Sequence, residues 1–284
     1  MSFTIKFFVN FLLLAFVSSC TSVFYYPRVA KTKFYDPSQV HLKEENVEIE
    51  TPLGWKIHAW WFKAQNSSEG EKSAKGTIIF FHGNAQNLTA HFLNLAWIPY
   101  EDYNYLIWDY PGYGVSEGEP SPEANVVSAK SVVQWVHEHK DPRPLIIYGQ
   151  SLGGAVALRT VLDIKDQIPI KACILDSTFS SYRSLARRKA EQSWLTWVFQ
   201  PLAWLLMSDQ FSGNEIERLT PIPLLFIVGL QDKVIPPDVG EDLFEKAKEP
   251  KQIWRLANGQ HTDVFWIDEK IHRKEFLDYL SSLK

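Results

Sequence analysis

The sequence predicts an α/β fold: a mostly parallel sheet of eight strands flanked by helices, with a helical cap inserted late in the chain. Two patterns and one composition carry that prediction. Short, continuous apolar runs, each bounded by Gly, Pro or Asp, recur along the chain, as strands buried on both faces do. Stretches with helical spacing separate the runs. Buried strands alternating with helices imply parallel βαβ units, because each crossover must return the chain over a sheet face. The 284 residues are 45% hydrophobic and 22% charged. That globular balance excludes a disordered or collagen-like chain and leaves material for one large core.

The elements follow in order. Val47 to Glu50 alternates apolar and charged residues, Trp55 to Phe62 is rich in aromatics, and Pro52-Leu53-Gly54 between them is a turn, so the first two strands form an antiparallel hairpin. Gln65 to Gly76 is a polar loop, and Thr77 to Phe81 is a continuous apolar strand that ends at His82-Gly83-Asn84. The same grammar recurs at Tyr105 to Trp108, Leu145 to Tyr148, Ala172 to Leu175 and Leu224 to Val228, and Gln252 to Leu256 is the last strand. Ser121-Pro122-Glu123 opens a helix with a cap, a tolerated proline and a first-turn acid, after which Val126, Ala129, Val133 and Val136 keep helical spacing. Leu152 to Ile164 and Asp238 to Lys248 behave similarly. Ser180 to Thr220 breaks the rhythm: its Trp194, Trp197 and Trp204 lie among leucines between two strands, which reads as the cap, at about 180–220.

The N-terminus has a different composition. Lys6 is the one charged side chain among the first twenty residues, and Phe7 to Val17 is apolar apart from Asn10. A bilayer-spanning helix needs about 20 apolar residues, whereas a basic start, a short apolar run and small residues describe an export signal. Val17-Ser18-Ser19-Cys20 further resembles the lipobox of bacterial lipoproteins. The resemblance implies removal of residues 1–19, acylation of Cys20, a tether over 20–44 and a catalytic-sized domain over 45–284. Thr21 rather than Asp after the cysteine is similar to outer-membrane sorting in bacteria with two membranes. The expectation is an exported protein held on a membrane by acyl chains, at about 0.8 kcal/mol per buried methylene. Thirty-three acidic against 29 basic residues, with no long basic block, argue against a nucleic-acid partner. Two cysteines, Cys20 and Cys173, exclude a disulfide framework and a four-thiolate zinc site.

Chemistry concentrates in three places. Gly149-Gln150-Ser151-Leu152-Gly153-Gly154 follows an apolar strand and opens a helix, so Ser151 sits on a tight turn where small neighbours are needed and its hydroxyl stands clear of the sheet. A serine needs a base to take its proton and an acid to orient that base. Asp232 follows the strand ending at Val228, and His261 follows the strand ending at Leu256, which puts both at the same carboxyl edge as Ser151. Asp176, at the end of the sixth strand, is the rival acid, and Asp263 is too close to the base in sequence to orient it. The remaining histidines are expected in surface or core roles, His82 among them as a loop holder. Negative charge developing on a carbonyl oxygen needs aimed donors. The backbone amides of Leu152, at the helix start, and Asn84, in the loop after the third strand, are the candidates. No metal or cofactor is required by this set.

Taken in succession, His82-Gly83-Asn84, Asp109-Tyr110-Pro111-Gly112-Tyr113-Gly114-Val115-Ser116 and Gly149-Gln150-Ser151-Leu152-Gly153 resemble the α/β-hydrolase superfamily, in its serine-hydrolase branch. The resemblance runs from about Val47 to the C-terminus and implies the α/β-hydrolase fold with a Ser, Asp, His triad acting through an acyl-enzyme. Branch members include esterases, lysophospholipases, protein depalmitoylases and some peptidases, so the motifs leave the substrate open. The expected function is a membrane-tethered hydrolase of carboxylic ester or thioester bonds, on a small-molecule or lipid acyl substrate. The alternatives are a serine peptidase of the same fold, or a non-catalytic binding lipoprotein on a hydrolase scaffold.

Overall fold

A computed structural model describes residues 25, 32–65, 74–191 and 208–283. Cys20 with the segment before it, and Trp194, Trp197 and Trp204 of the expected cap, lie outside those residues. The apolar runs become strands β1 (Glu45–Glu50), β2 (Lys56–Phe62), β3 (Gly76–Phe81), β4 (Tyr103–Trp108), β5 (Leu145–Gln150), β6 (Ile170–Asp176), β7 (Leu224–Gly229) and β8 (Lys251–Leu256). Between and after them run helices α1 (Leu88–His91), α2 (Pro122–His139), α3 (Leu152–Ile164), α4 (Tyr182–Glu191), α5 (Pro237–Lys246) and α6 (Glu269–Ser282).

All eight strands form one sheet in the order β1-β2-β4-β3-β5-β6-β7-β8. The hairpin pairs antiparallel, β2 pairs antiparallel with β4, and every other pairing is parallel. The chain passes from β3 to β4 on one side and returns to β5 on the other side of β3. Strand order therefore reverses between β3 and β5, and the carboxyl ends of these two strands open a crevice of the kind that holds ligands in open α/β sheets.

Two hydrophobic clusters cover the two faces. On one, Val126, Ala129, Val133 and Val136 of α2 and Ala155, Leu158 and Val161 of α3 pack on Ile79, Ile147 and Phe226. On the other, Phe92, Trp97 and Phe265, with Phe276 and Leu280 of α6, pack on Ile78, Phe80, Tyr148 and Ile174. Every residue of β3 and of β5 is buried. Each Ile, Leu and Phe side chain among them contributes about 1.5 to 3 kcal/mol of transfer free energy, so the two strands that carry the crevice are also among the most firmly anchored. Ser121 caps α2 by accepting from the Ala124 amide, as the sequence predicts. Tyr25 is buried too, and its hydroxyl donates to that of Tyr182 at the start of α4, 3.1 Å away.

Candidate active site

The turn from β5 into α3 is built by backbone crowding. A Cβ on Gly149 would lie 2.6 Å from the Gly154 Cα, and one on Gly153 would run into the carbonyl of Phe81. These contacts explain the glycines around the serine. Ser151 adopts φ 55°, ψ −121°, a conformation that costs a non-glycine residue about 1 to 3 kcal/mol. Neighbours hold it there. Its amide donates to the Asp176 carbonyl at 2.9 Å, and its carbonyl accepts from the Gly154 amide at 3.0 Å and from the Thr178 hydroxyl at 2.6 Å.

The strained turn presents the hydroxyl to His261. Ser151 Oγ and His261 Nε2 are 2.9 Å apart, and His261 Nδ1 is 2.7 Å from Asp232 Oδ2. The other carboxylate oxygen of Asp232 accepts from the amides of Val234 and Ile235 at 2.7 and 2.9 Å. The turn after β7 thus fixes the carboxylate before the imidazole meets it. Asp232 is buried, whereas the His261 side chain is 22% exposed, open enough for a substrate to reach the ring. With Nδ1–H donating to Asp232, Nε2 is left as an acceptor for the serine proton.

The rival residues have other partners. Asp176 is buried at the end of β6, where it accepts from the Tyr148 hydroxyl at 3.0 Å and from Gln150 Nε2 at 3.2 Å, both through Oδ2. Burial pushes its carboxyl up to about 6, against the downward pull of those hydrogen bonds and of the nearby His261. Asp263 accepts from the Gln260 amide and so shapes the His261 loop instead of touching the imidazole. His82 is fully buried, with Nδ1 2.7 Å from its neighbour's carbonyl, Gly83 O, and Nε2 3.3 Å from Asp109 Oδ1. It stacks on His91, which burial holds neutral by lowering it to about 3.

Asp109 ties the neighbouring turns together: Oδ1 accepts from the Leu88 amide at 2.7 Å, its carbonyl accepts from the Ser116 hydroxyl at 2.8 Å, and a Cβ on Gly114 would collide with its carboxylate. The Asn84 side chain accepts from the Tyr113 hydroxyl at 2.6 Å and from the Ala85 amide at 2.7 Å. Gly83, next to it, passes close to Ser151, since a Cβ there would lie 3.6 Å from the serine Cβ. The Leu152 amide opens the first turn of α3, at the positive end of the helix dipole. The arrangement can therefore withdraw a proton from a hydroxyl and offer donors beside it. Among the described residues no cluster of His, Cys, Asp and Glu fits a metal ion.

The polar side chains that hold these parts were not apparent from sequence spacing. Thr178, just after β6, braces the serine turn, Tyr113 braces the Asn84 loop, and Gln150 and Asn94 bond to each other at 2.8 Å. The one available signal was Gln150 itself, an uncharged polar residue closing an otherwise apolar strand.

The α/β-hydrolase fold family matches this chain over residues 76–204. The chain is 34% identical over 269 residues to the uncharacterized protein YfhR of Escherichia coli (strain K12), covering 92% of this chain and 90% of YfhR. It is 28% identical to the alpha/beta hydrolase domain-containing protein WAV2 of Arabidopsis thaliana, over 95% of this chain and 89% of that protein. Its backbone is similar to that of the Pyrococcus furiosus esterase Pf2001, with a TM-score of 0.72 over 92% of this chain and 98% of the esterase, at 17% identity. The chain belongs to the α/β-hydrolase family.

Proposed function

We propose that this α/β-hydrolase is a serine esterase or thioesterase that cleaves acyl substrates from the face of a membrane. The reading rests on one observation, the unbroken hydrogen-bond line from Ser151 through His261 to Asp232 at the mouth of the crevice. In the proposed reaction His261 Nε2 takes the proton of Ser151 as Oγ attacks the carbonyl carbon. Asp232 keeps Nδ1 protonated and stabilises the imidazolium. The amides of Leu152 and Asn84 receive the oxygen as it becomes negative, an interaction worth on the order of 10² to 10³ in rate per donor. Collapse of the tetrahedral intermediate expels the alkoxide or thiolate, which takes the proton from His261 and departs as the alcohol or thiol, leaving an acyl-Ser151. Water then repeats the sequence in reverse roles, with His261 as base, and releases the acid.

The apolar run Phe7 to Val17 and Cys20 after it support acylation of Cys20 as the membrane tether. No described helix is long and apolar enough to cross a membrane. The tryptophans at 194, 197 and 204 support an acyl-chain site under the cap, since Trp favours places with one apolar and one wet side. A fluorophosphonate probe is expected to label the wild type and not Ser151→Ala. Labelling that persists in that variant contradicts the reading. Turnover of p-nitrophenyl esters should rise from acetyl to octanoyl, and a flat series removes the acyl site while leaving the esterase. Cleavage of aminoacyl amides with no ester turnover would replace the esterase by a peptidase. Incorporation of an alkyne fatty acid, lost in Cys20→Ala, tests the tether.

A further inference from the structure

The side chain immediately before the nucleophile is an amide whose every polar atom is engaged. Gln150 is 3% exposed. Its Oε1 accepts from Asn94 Nδ2 at 2.8 Å, and its Nε2 donates to Asp176 Oδ2 at 3.2 Å and to the carbonyl of Thr262 at 3.3 Å. The partners dictate the amide orientation: two acceptors face the nitrogen and one donor faces the oxygen, so a flipped amide would lose all three bonds.

The bond to Thr262 reaches the loop that carries the base. Thr262 follows His261 directly and has φ 60°, in the left-handed region. A β-branched residue is a poor occupant of that region. Side chains from elsewhere hold it on both sides: Gln150 engages its carbonyl, and the Ser177 hydroxyl accepts from its amide at 3.3 Å. Asn94 in turn accepts from the Trp266 indole at 3.0 Å, so a second strut runs from Gln150 to the far side of the same loop. Strain kept in place by surrounding contacts is a sign of a position that function requires.

We propose that Gln150 is a positioning residue that locks the strained histidine loop to the nucleophile turn and thereby sets the reach of His261 to Ser151. The proposal rests on the serine-hydrolase reading given above. Gln150 touches neither the reacting atoms nor the imidazole. It acts because its backbone is bonded to Ser151 while its side chain grips the residue after His261, which makes one side chain the strut between nucleophile and base. Misplacement by about 1 Å of groups that must meet costs on the order of 10² in rate.

The test is Gln150→Met, which keeps length and removes all three bonds. With a p-nitrophenyl ester as substrate, kcat should fall about 10- to 100-fold while KM stays within about threefold, because geometry between Ser151 and His261 affects the chemical step and not binding. Thr262→Gly relieves the left-handed strain, so the loop needs the strut less. In the double variant Gln150→Met/Thr262→Gly at least threefold of the lost kcat should return, a rescue that general loosening of the core would not give. If Gln150→Met does not fold, Asn94→Leu removes the donor to Oε1 alone and should lower kcat about 3- to 10-fold, again with recovery by Thr262→Gly. A folded Gln150→Met with kcat within twofold of wild type overturns the proposal, as does a loss that Thr262→Gly leaves untouched. Turnover surviving in Ser151→Ala would instead overturn the hydrolase reading, so the two failures are distinguishable.

Discussion

Two carboxylates stand beside the carboxyl ends of neighbouring strands of the same sheet, both are buried, and their surroundings give them opposite tasks. Asp232 stands in the turn after β7, with one oxygen held by two backbone amides and the other turned to His261. Asp176 closes β6, with one oxygen shared by Tyr148 and Gln150, and contacts no imidazole nitrogen. Burial raises the Asp176 carboxyl to about 6. The comparison teaches that position at the carboxyl edge nominates an acid but hydrogen bonding selects it. Both strands end at that edge, and it is the turn after β7 that presents an oxygen to His261.

The largest expected effect breaks the symmetry between the two. Asp232→Asn should lower kcat on the order of 10³ to 10⁴ with the fold intact, since the carboxamide no longer enforces the working tautomer or balances the imidazolium. Asp176→Asn should stay within about tenfold of wild type, because the amide oxygen still accepts from Tyr148 and Gln150. Equal losses in the two variants, or a reversed order, would move the acid to β6.

The next effect is on stability, and its sign follows from proton uptake. Asp176 rises from an ordinary 3.8 to about 6 on folding, so between these values the folded state binds more protons than the unfolded one. Stability contributed by this group is present below about 4 and falls as pH climbs through 6. Relative to wild type, Asp176→Asn should therefore gain on going from pH 4.5 to pH 8, by about 2 kcal/mol for a shift of this size. Urea unfolding at the two pH values measures it, and a gain in the opposite direction removes burial as the governing influence on this carboxyl.

The smallest effect sharpens the same point. Tyr148→Phe removes one donor to Asp176 and should cost about 1 to 2 kcal/mol at pH 8, where the charged acceptor loses a partner, and less at pH 4.5. An equal cost at both values would mean that the hydroxyl contributes independently of the charge on Asp176.

The division between the two acids also shows what a linear reading can reach. Apolar runs such as Thr77 to Phe81 and Leu145 to Tyr148 announce buried strands because burial on both faces leaves no polar alternation. Ser151 is legible because its glycines stand within six residues of one another, although the crowding at Gly153 comes from Phe81 on another strand. The choice of Asp232 over Asp176 follows from the place of each acid along the chain, Asp232 in the loop after the strand ending at Val228 and Asp176 at the end of the strand before it. The polar struts were not legible. Gln150 meets Thr262 at a separation of 112 residues, and Asn94 meets Trp266 across 172, with no periodicity linking them. The one-turn helix α1 and the sheet order around β3 escaped as well, since both are fixed by tertiary packing and not by spacing.

The central claim is that Ser151 becomes covalently acylated during turnover. Rapid acid quenching of the protein with p-nitrophenyl octanoate, followed by mass analysis of its peptides, tests this most directly. The account predicts one added octanoyl group, carried by the peptide containing Ser151 and missing in Ser151→Ala. An adduct on another side chain, or full turnover in a protein whose Ser151 never gains mass, would contradict it.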